Sequence, residues 1–331
     1  MTTVISGSSP SITFSDATTQ TTAFTTPVSI ANGGTGSSTL AGANIATTNS
    51  STQSITSINT FGFKNRIING AMAIDQRGSG SALTISPSNS GYYGIDRYTL
   101  YANPSGAAGT WTWQQLSATP PSGFTYYGRA TVTTPDSSVT GTDYYSIQQP
   151  IEGYNLADID FGTANAKAFT VSFWVRSSLT GTFSCAVNFA TSTNGYPLTY
   201  TINSPNTWEF KTINFPAITN SVIATTNKTN GVGLYLVFSL GIGNSYTGAS
   251  GTLGSLVYGA SGTTNLISTN GATFDITGIQ LEVGTQATSF DFRDYGSELI
   301  LCQRYYQTVT LNGCPSAVSY THLTLPTKRI V

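Results

Sequence analysis

Charge is scarce in this chain. Asp, Glu, Lys and Arg make up 8% of 331 residues, with 13 basic against 14 acidic side chains. With no basic cluster and a net negative balance, little counterion release is available on a phosphate backbone, and nucleic acid is not an expected partner. Histidine is scarcer still, with His322 the only one. Nucleophilic catalysis of the Ser-His-Asp or Cys-His kind needs a base that titrates near neutrality. A Ser-Lys pair would need a motif around Lys64, Lys167, Lys211 or Lys228, and none is present. The three cysteines, Cys185, Cys302 and Cys314, are odd in number and widely spaced, so they match neither a disulfide framework nor a zinc site. No cationic-plus-apolar leader and no apolar run of bilayer length occurs. The expectation is a product made in the cytoplasm, with no membrane insertion and no cofactor.

What the chain has is 34 Gly, 11% aromatic and 39% hydrophobic residues. That is too apolar for disorder and too poor in Lys, Glu and Leu for helices. The organising stretch is residues 169–176. Phe169, Val171, Phe173 and Val175 alternate there with Thr170, Ser172, Trp174 and Arg176. A period of two gives a strand with one dry face. Residues 111–116, 124–133, 144–152, 182–190, 198–202, 208–215, 233–239 and 273–282 read as further strands, separated by Gly, Pro, Asn and Ser clusters. Pro150 should close its strand or place it on an edge. The alternation slips at Gly278, as a β-bulge would require. Residues 156–161 read as a turn or short helical piece, and residues 298–306 as one or two amphipathic helical turns. The predicted fold is all-β, an antiparallel jelly-roll β-sandwich, preceded by a low-complexity extended segment.

That segment, residues 1–60, is built of Thr, Ser, Ala, Gly and Asn with almost no charge. Alone it cannot bury enough apolar surface to fold as a compact monomer, so it reads as a linker or an oligomerising shaft. Gly33, Gly34, Thr35 and Gly36 are a turn and not a phosphate loop, since no lysine follows in the required place. Charge returns near Phe61, the expected start of the sandwich, which is placed at residues 61–296. Residues 297–317 read as the start of a truncated C-terminal segment. Residues 318–327 look like the translation of a sequencing adapter, and residues 318–331 are set aside as its expected read-through. Without Lys328 and Arg329 the balance is 11 basic against 14 acidic residues, or −3.

Two phrases, residues 12–23 with Phe14, Asp16 and Gln20, and residues 31–36 with Asn32 and Gly33, resemble elements of bacteriophage tail fibres. The stretch from Phe63 to Arg77, followed by Asp96 and Arg97, is similar to the opening of the globular module in tail-fibre and virion proteins. In such modules Asn69 and Gly70 begin the first strand and Asp96 with Arg97 precedes another. The central strand, Trp208 and the closing strand at 274–282 resemble carbohydrate-binding jelly rolls of the galactose-binding-like type. The resemblance implies a virion tail protein, a homotrimer, partnered by other virion proteins and by a glycan or other receptor on the host surface.

Glycoside hydrolysis needs only two suitably spaced carboxylates, and Glu152, Asp158, Asp160, Glu209, Glu282, Asp291 and Asp294 are available. Any chain of this size offers as many, so the expectation is a binding protein and not an enzyme. A structural spacer or capsid decoration and a polysaccharide depolymerase are the alternatives. Asp158 with Asp160 and Asp291 with Asp294 are candidate calcium ligands, an ion that jelly rolls of the resembled type often hold. Paired tyrosines at 92–93, 126–127 and 144–145 should each point one ring into the core and one outward. An outward ring is a platform for a sugar face. The residues chosen for a ligand face are Trp111, Trp113, Tyr126, Trp174 and Arg176.

Overall fold

The computed structural model describes residues 64–308 apart from 107, together with three two-residue strands nearer the N-terminus. The chain falls into two units, Met1–Thr60 and Phe61–Val331. In the first, β1 (Val4–Ile5), β2 (Ile12–Thr13) and β3 (Thr19–Gln20) pair antiparallel in that order. The rest of this unit, with residues 31–36, lies outside the described residues, as do Cys314 and residues 318–331.

The second unit is the jelly-roll sandwich expected from the alternation. Its first strands are β4 (Leu83–Ile85), β5 (Tyr92–Tyr93), β6 (Thr99–Asn103), β7 (Thr110–Leu116), β8 (Tyr127–Thr134) and β9 (Tyr144–Glu152). There follow β10 (Phe169–Ser177), β11 (Gly181–Phe189), β12 (Asn194–Ile202), β13 (Glu209–Phe215) and β14 (Val232–Ile242). Three two-residue strands, β15 (Thr247–Gly248), β16 (Gly254–Ser255) and β17 (Gly259–Ala260), precede β18 (Thr273–Val283) and the helix α1 (Tyr295–Gln303). Sheet I has the order β13-β10-β18-β8-β7-β4 and sheet II the order β16-β12-β11-β14-β9-β6-β5. Every pair within them is antiparallel.

The dry face of β10 fills the space between the sheets. Phe169, Val171, Phe173 and Val175 are all 0% exposed. Phe173 lies edge-on to Tyr200 and to Phe238 of sheet II, each 5.1 Å away. Burying each such side chain stabilises the fold by about 1.5–3 kcal/mol. The slip at Gly278 is a bulge: Ser172 faces Gln280, but Trp174 faces Thr277. Gly278 has φ +62°, and a Cβ there would come within 2.6 Å of the Phe124 ring. The bulge keeps Phe274 and Ile276 before it, and Ile279 and Leu281 after it, in the core.

Three sequence expectations are adjusted. β9 does not stop at Pro150 but runs on to Glu152; Pro150 lies past the last residue of β6 paired with β9, so one side of its backbone has no strand partner. The Arg97 Nη2 donates to the Pro150 carbonyl instead. Asn69 and Gly70 form a turn and not a strand, and the first strand of the sandwich is β4. Asn69 is left-handed at φ +60°, and its side chain clasps the loop. Its Nδ2 donates to the carbonyls of Ile74 and Asp96 at 2.8 and 3.0 Å, and its Oδ1 accepts from the Ile74 N–H at 2.9 Å. The helix expected from residue 298 begins earlier, at Tyr295, capped by Asp294, whose carboxylate accepts from the Ser297 N–H at 3.0 Å. Residues 153–155 and 157–159 make two short 3-10 turns before β10.

Candidate functional site

The outer face of sheet II carries the candidate site. Along β9, Tyr145, Ile147 and Ile151 point into the core, so Tyr144, Ser146 and Gln148 point out. Register fixes their neighbours. Tyr101 of β6 lies opposite Ser146, which lies opposite Ser239 of β14. Gln148 faces Thr99 on one side and Val237 on the other, and Tyr235 faces Asn188 of β11. A floor of small side chains flanked by large rings makes a trough. The cleft has a volume of about 460 Å3.

Its far wall comes from residues 243–261, which follow β14 and rejoin sheet II at β16, beside β12. The parallel pair β15–β17 joins Thr247 to Gly259 and so brings Tyr246 beside Tyr258. The two rings stand 5.3 Å apart at 79°. Tyr144 is the hub, with ring centroids 5.4 Å from Tyr101, 4.9 Å from Tyr258 and 6.2 Å from Tyr246. The wall is pinned to the sheet. Asn188 Nδ2 donates to the Val257 carbonyl at 2.5 Å, and the Ala260 N–H donates to Ser184 Oγ at 2.8 Å. Gly195 is required here, since a Cβ would come within 1.7 Å of the Val257 carbonyl oxygen.

Among the described residues no charged side chain lines the cleft; Asn103, Pro104, Thr142 and Gln148 complete it with the five tyrosines. Burial raises the phenol pKa of Tyr101, Tyr144, Tyr235 and Tyr258. Those hydroxyls are therefore neutral at neutral pH, and each both donates and accepts. Gln148 Nε2 donates to Tyr144 Oη and, at 3.1 Å, to Ser146 Oγ. Ser239 Oγ, on a side chain 3% exposed, has no hydrogen-bond partner among the described residues. Rings for stacking and the polar side chains of Asn103, Thr142 and Gln148 suit an uncharged, hydroxyl-rich ligand.

The five residues chosen from sequence are not brought together. Trp111 and Trp113 share one face of β7, but it is the inner face, where they are 0% and 1% exposed. Alternation shows that two residues share a face without showing which side that face takes. Trp174 is half-buried on the outer face of sheet I, its ring 5.4 Å from Phe210. Arg176 shares that face, where its Nε contacts Asp275 Oδ2 at 2.7 Å and its guanidinium lies 4.6 Å from the Trp208 ring. Asp275, 1% exposed, also receives Arg129 at 2.7 Å, so this face is held by a carboxylate between two guanidiniums. Tyr126 lies elsewhere, beside a cavity of about 230 Å3 that Phe124, Phe290 and Phe292 also line.

Of the candidate calcium ligands, Asp158 pairs with Arg66 at 2.9 Å and Asp160 with Lys228 at 2.5 Å, while Asp294 caps α1. No group of three or more His, Cys, Asp or Glu suited to a metal ion occurs among the described residues. Cys185 and Cys302 are buried free thiols. The tyrosine pairs divide as alternation requires at 144–145, where Tyr145 enters the core and Tyr144 the cleft. Tyr92 and Tyr93 are both exposed, at 57% and 41%. That the outer face of sheet II is the tyrosine face had one signal in sequence, Tyr101, Tyr144 and Tyr235 at outward positions of separate strands. Tyr246 and Tyr258 had none, because they reach the cleft through loops.

No protein-family model matches the chain, and no curated protein matches it. Among solved structures it is similar to the enzymatically active domain of tailspike protein 4 of bacteriophage CBA120, at 13% identity and a TM-score of 0.36. That alignment covers 66% of this chain and 21% of the tailspike domain. It is also similar to the TmCBM61 module in complex with β-1,4-galactotriose, at 11% identity and a TM-score of 0.30, over 67% of this chain and 99% of that one. A third is the family 11 carbohydrate-binding module from Clostridium thermocellum in complex with a β-1,3-1,4-mixed-linked tetrasaccharide. It shares 11% identity at a TM-score of 0.30, over 60% of this chain and 95% of that module.

Proposed function

We propose that the sandwich is a non-catalytic glycan-binding module and that the cleft on sheet II is its binding site. The observation that carries this is the convergence of Tyr101, Tyr144, Tyr235, Tyr246 and Tyr258 over a floor of hydroxyl and amide groups with no charged side chain. Rings stack on the apolar faces of sugars, and the neutral phenols with the side chains of Asn103, Thr142 and Gln148 exchange hydrogen bonds with their hydroxyls. The lining offers no carboxylate pair, which favours binding over hydrolysis.

The phrases at residues 12–23 and 31–36 support a place for the module in a phage tail fibre, attaching to a glycan of the host envelope. A trimeric fibre would present several clefts at once. After the first engages, a second binds at high effective concentration, so modest single-site affinity suffices.

The test is a neutral-polysaccharide and oligosaccharide array probed with the full chain, with Tyr235→Ala and Tyr258→Ala alongside. Binding by the wild type and at least a tenfold loss in both variants, with unchanged melting curves, is the expected result. A folded wild type that binds no saccharide would remove this reading and favour the structural spacer.

A further inference from the structure

A second cavity, of about 120 Å3, lies away from the five tyrosines, between the loop at residues 75–81 and strands β5 and β7. Trp113 and Arg77, two side chains with N–H groups that make no hydrogen bond among the described residues, both line it. The first is the indole N–H of Trp113, buried and without a hydrogen-bond partner among the described residues. Its pyrrole edge faces Gly94, which lines the cavity: a Cβ on Gly94 would lie 2.4 Å from Trp113 Cδ1 and 3.1 Å from Nε1. The second is the guanidinium of Arg77. It lies 5.2 Å from the Tyr93 ring centroid and 3.4 Å from that of Tyr306, and makes no hydrogen bond or ion pair among the described residues.

The acceptor side is present too. Each carboxylate oxygen of Asp75 accepts one backbone N–H, from Gly78 at 2.9 Å and Gly80 at 2.8 Å, which leaves each with a further lone pair. One cation and one carboxylate make the lining neutral overall. Tyr92 and Tyr93, 57% and 41% exposed, stand at the edge as a platform. At about 30 Å3 per water the cavity holds roughly four waters. That is room for two adjacent hydroxyls and the carbons between them, with the rest of a ring left against the tyrosines.

We infer that this cavity is a second saccharide site, which takes the vicinal hydroxyls of a single neutral sugar residue at a chain end or branch. One hydroxyl oxygen accepts from Arg77 and the Trp113 N–H, and its neighbour donates to Asp75. The site rests on the glycan reading for its ligand class but uses none of the cleft's tyrosines, so the two stand or fall separately.

The test is titration of the 15N-labelled full chain with methyl glycosides of glucose, galactose and mannose at millimolar concentrations, with glucuronate and inorganic phosphate as further arms. The expected result is a shift of the Trp113 indole resonance with at least one neutral glycoside. Arg77→Met and Tyr92→Ala should each need at least tenfold more sugar for the same shift, while Tyr235→Ala titrates as wild type does. Tyr92 is exposed, so its variant reports even if Arg77→Met disturbs the packing of Tyr306. No shift with any neutral glycoside, or unchanged titrations in both variants, overturns the inference. Shifts with glucuronate or phosphate alone overturn it in favour of an anion site. Loss of the shift in Tyr235→Ala would mean that the cavity is not a separate site.

Discussion

Tyr144 and Tyr145 are joined by one peptide bond and serve opposite sides of sheet II. The Tyr145 hydroxyl donates to Asp136 at 3.0 Å inside the sandwich and accepts from the Gly109 N–H at 3.0 Å. The Tyr144 ring stands at the centre of the cleft, 4.9 Å from Tyr258. One strand thus couples a core anchor to a ring of the proposed binding cleft, and the two roles should separate by mutation.

Tyr145→Phe should cost about 1.5–3 kcal/mol in denaturant unfolding, since it removes a donor to a buried carboxylate. Saccharide affinity of the folded variant should stay within twofold of wild type. Tyr144→Ala should show the reverse emphasis, with binding lost even where the protein is fully folded. Equal effects of the two on binding would argue against the cleft.

Trp113→Ala should destabilise the fold by about 3–5 kcal/mol, the cost of emptying a packed aromatic site. Trp174→Ala, on the outer face of sheet I, should leave cleft binding unchanged. Isothermal titration with a neutral oligosaccharide decides this: a Trp174 variant that fails to bind while Tyr235→Ala still binds would move the site to the other sheet.

Asp275→Ala leaves Arg129 and Arg176 facing each other without their shared carboxylate. Removing one partner of a buried ion pair costs about 3–5 kcal/mol, and a loss of that size is expected in urea melts. A change below about 1 kcal/mol would mean that the three charges behave as an exposed pair does.

Glu152 and Glu209 are two of five carboxylates, with Asp143, Asp160 and Asp294, whose depressed pKa makes stability fall in acid. Hydrogen bonds from Arg304 hold the Glu152 pKa below its ordinary value of 4.5, against the opposing effect of burial. Burial works against the Glu209 carboxylate as well, but hydrogen bonds from Lys211 and from Ser204 and Asn203 outweigh it and hold its pKa at about 2. A depressed folded-state pKa contributes stability above the unfolded value and loses it as pH falls through the folded one. The melting temperature should therefore drop between about pH 4.5 and 2. Arg304→Gln should flatten the part of that drop due to Glu152, and an unchanged slope would show that the pair contributes nothing.

The sandwich was legible because β10 and β18 carry period-two patterns strong enough to show even a bulge at Gly278. The same pattern misled at Trp111 and Trp113, since alternation on β7 fits either side and only the packing of Trp113 between Gly94 and Gly128 decides it. Alternation in the 144–145 pair placed the two rings on opposite faces, but it did not say which of them faces out. The cleft as a whole was hidden because half its wall depends on Thr247 pairing with Gly259, a parallel contact between loops with no sequence signature. Arg176 looked available for a ligand and is instead engaged by Asp275, a partner 99 residues away.

The pinning of residues 243–261 bears on the kinetics of attachment. Asn188, Ser184 and the bare backbone of Gly195 hold Tyr246 and Tyr258 in position before any ligand arrives. For the binding site proposed above, a wall pinned in this way leaves little ordering cost for the binding step. On that reading, differences in affinity between saccharides should appear mainly as differences in residence time. If the chain is part of a multivalent fibre, as proposed above, movement across a sugar-coated surface would be paced by how quickly each cleft lets go.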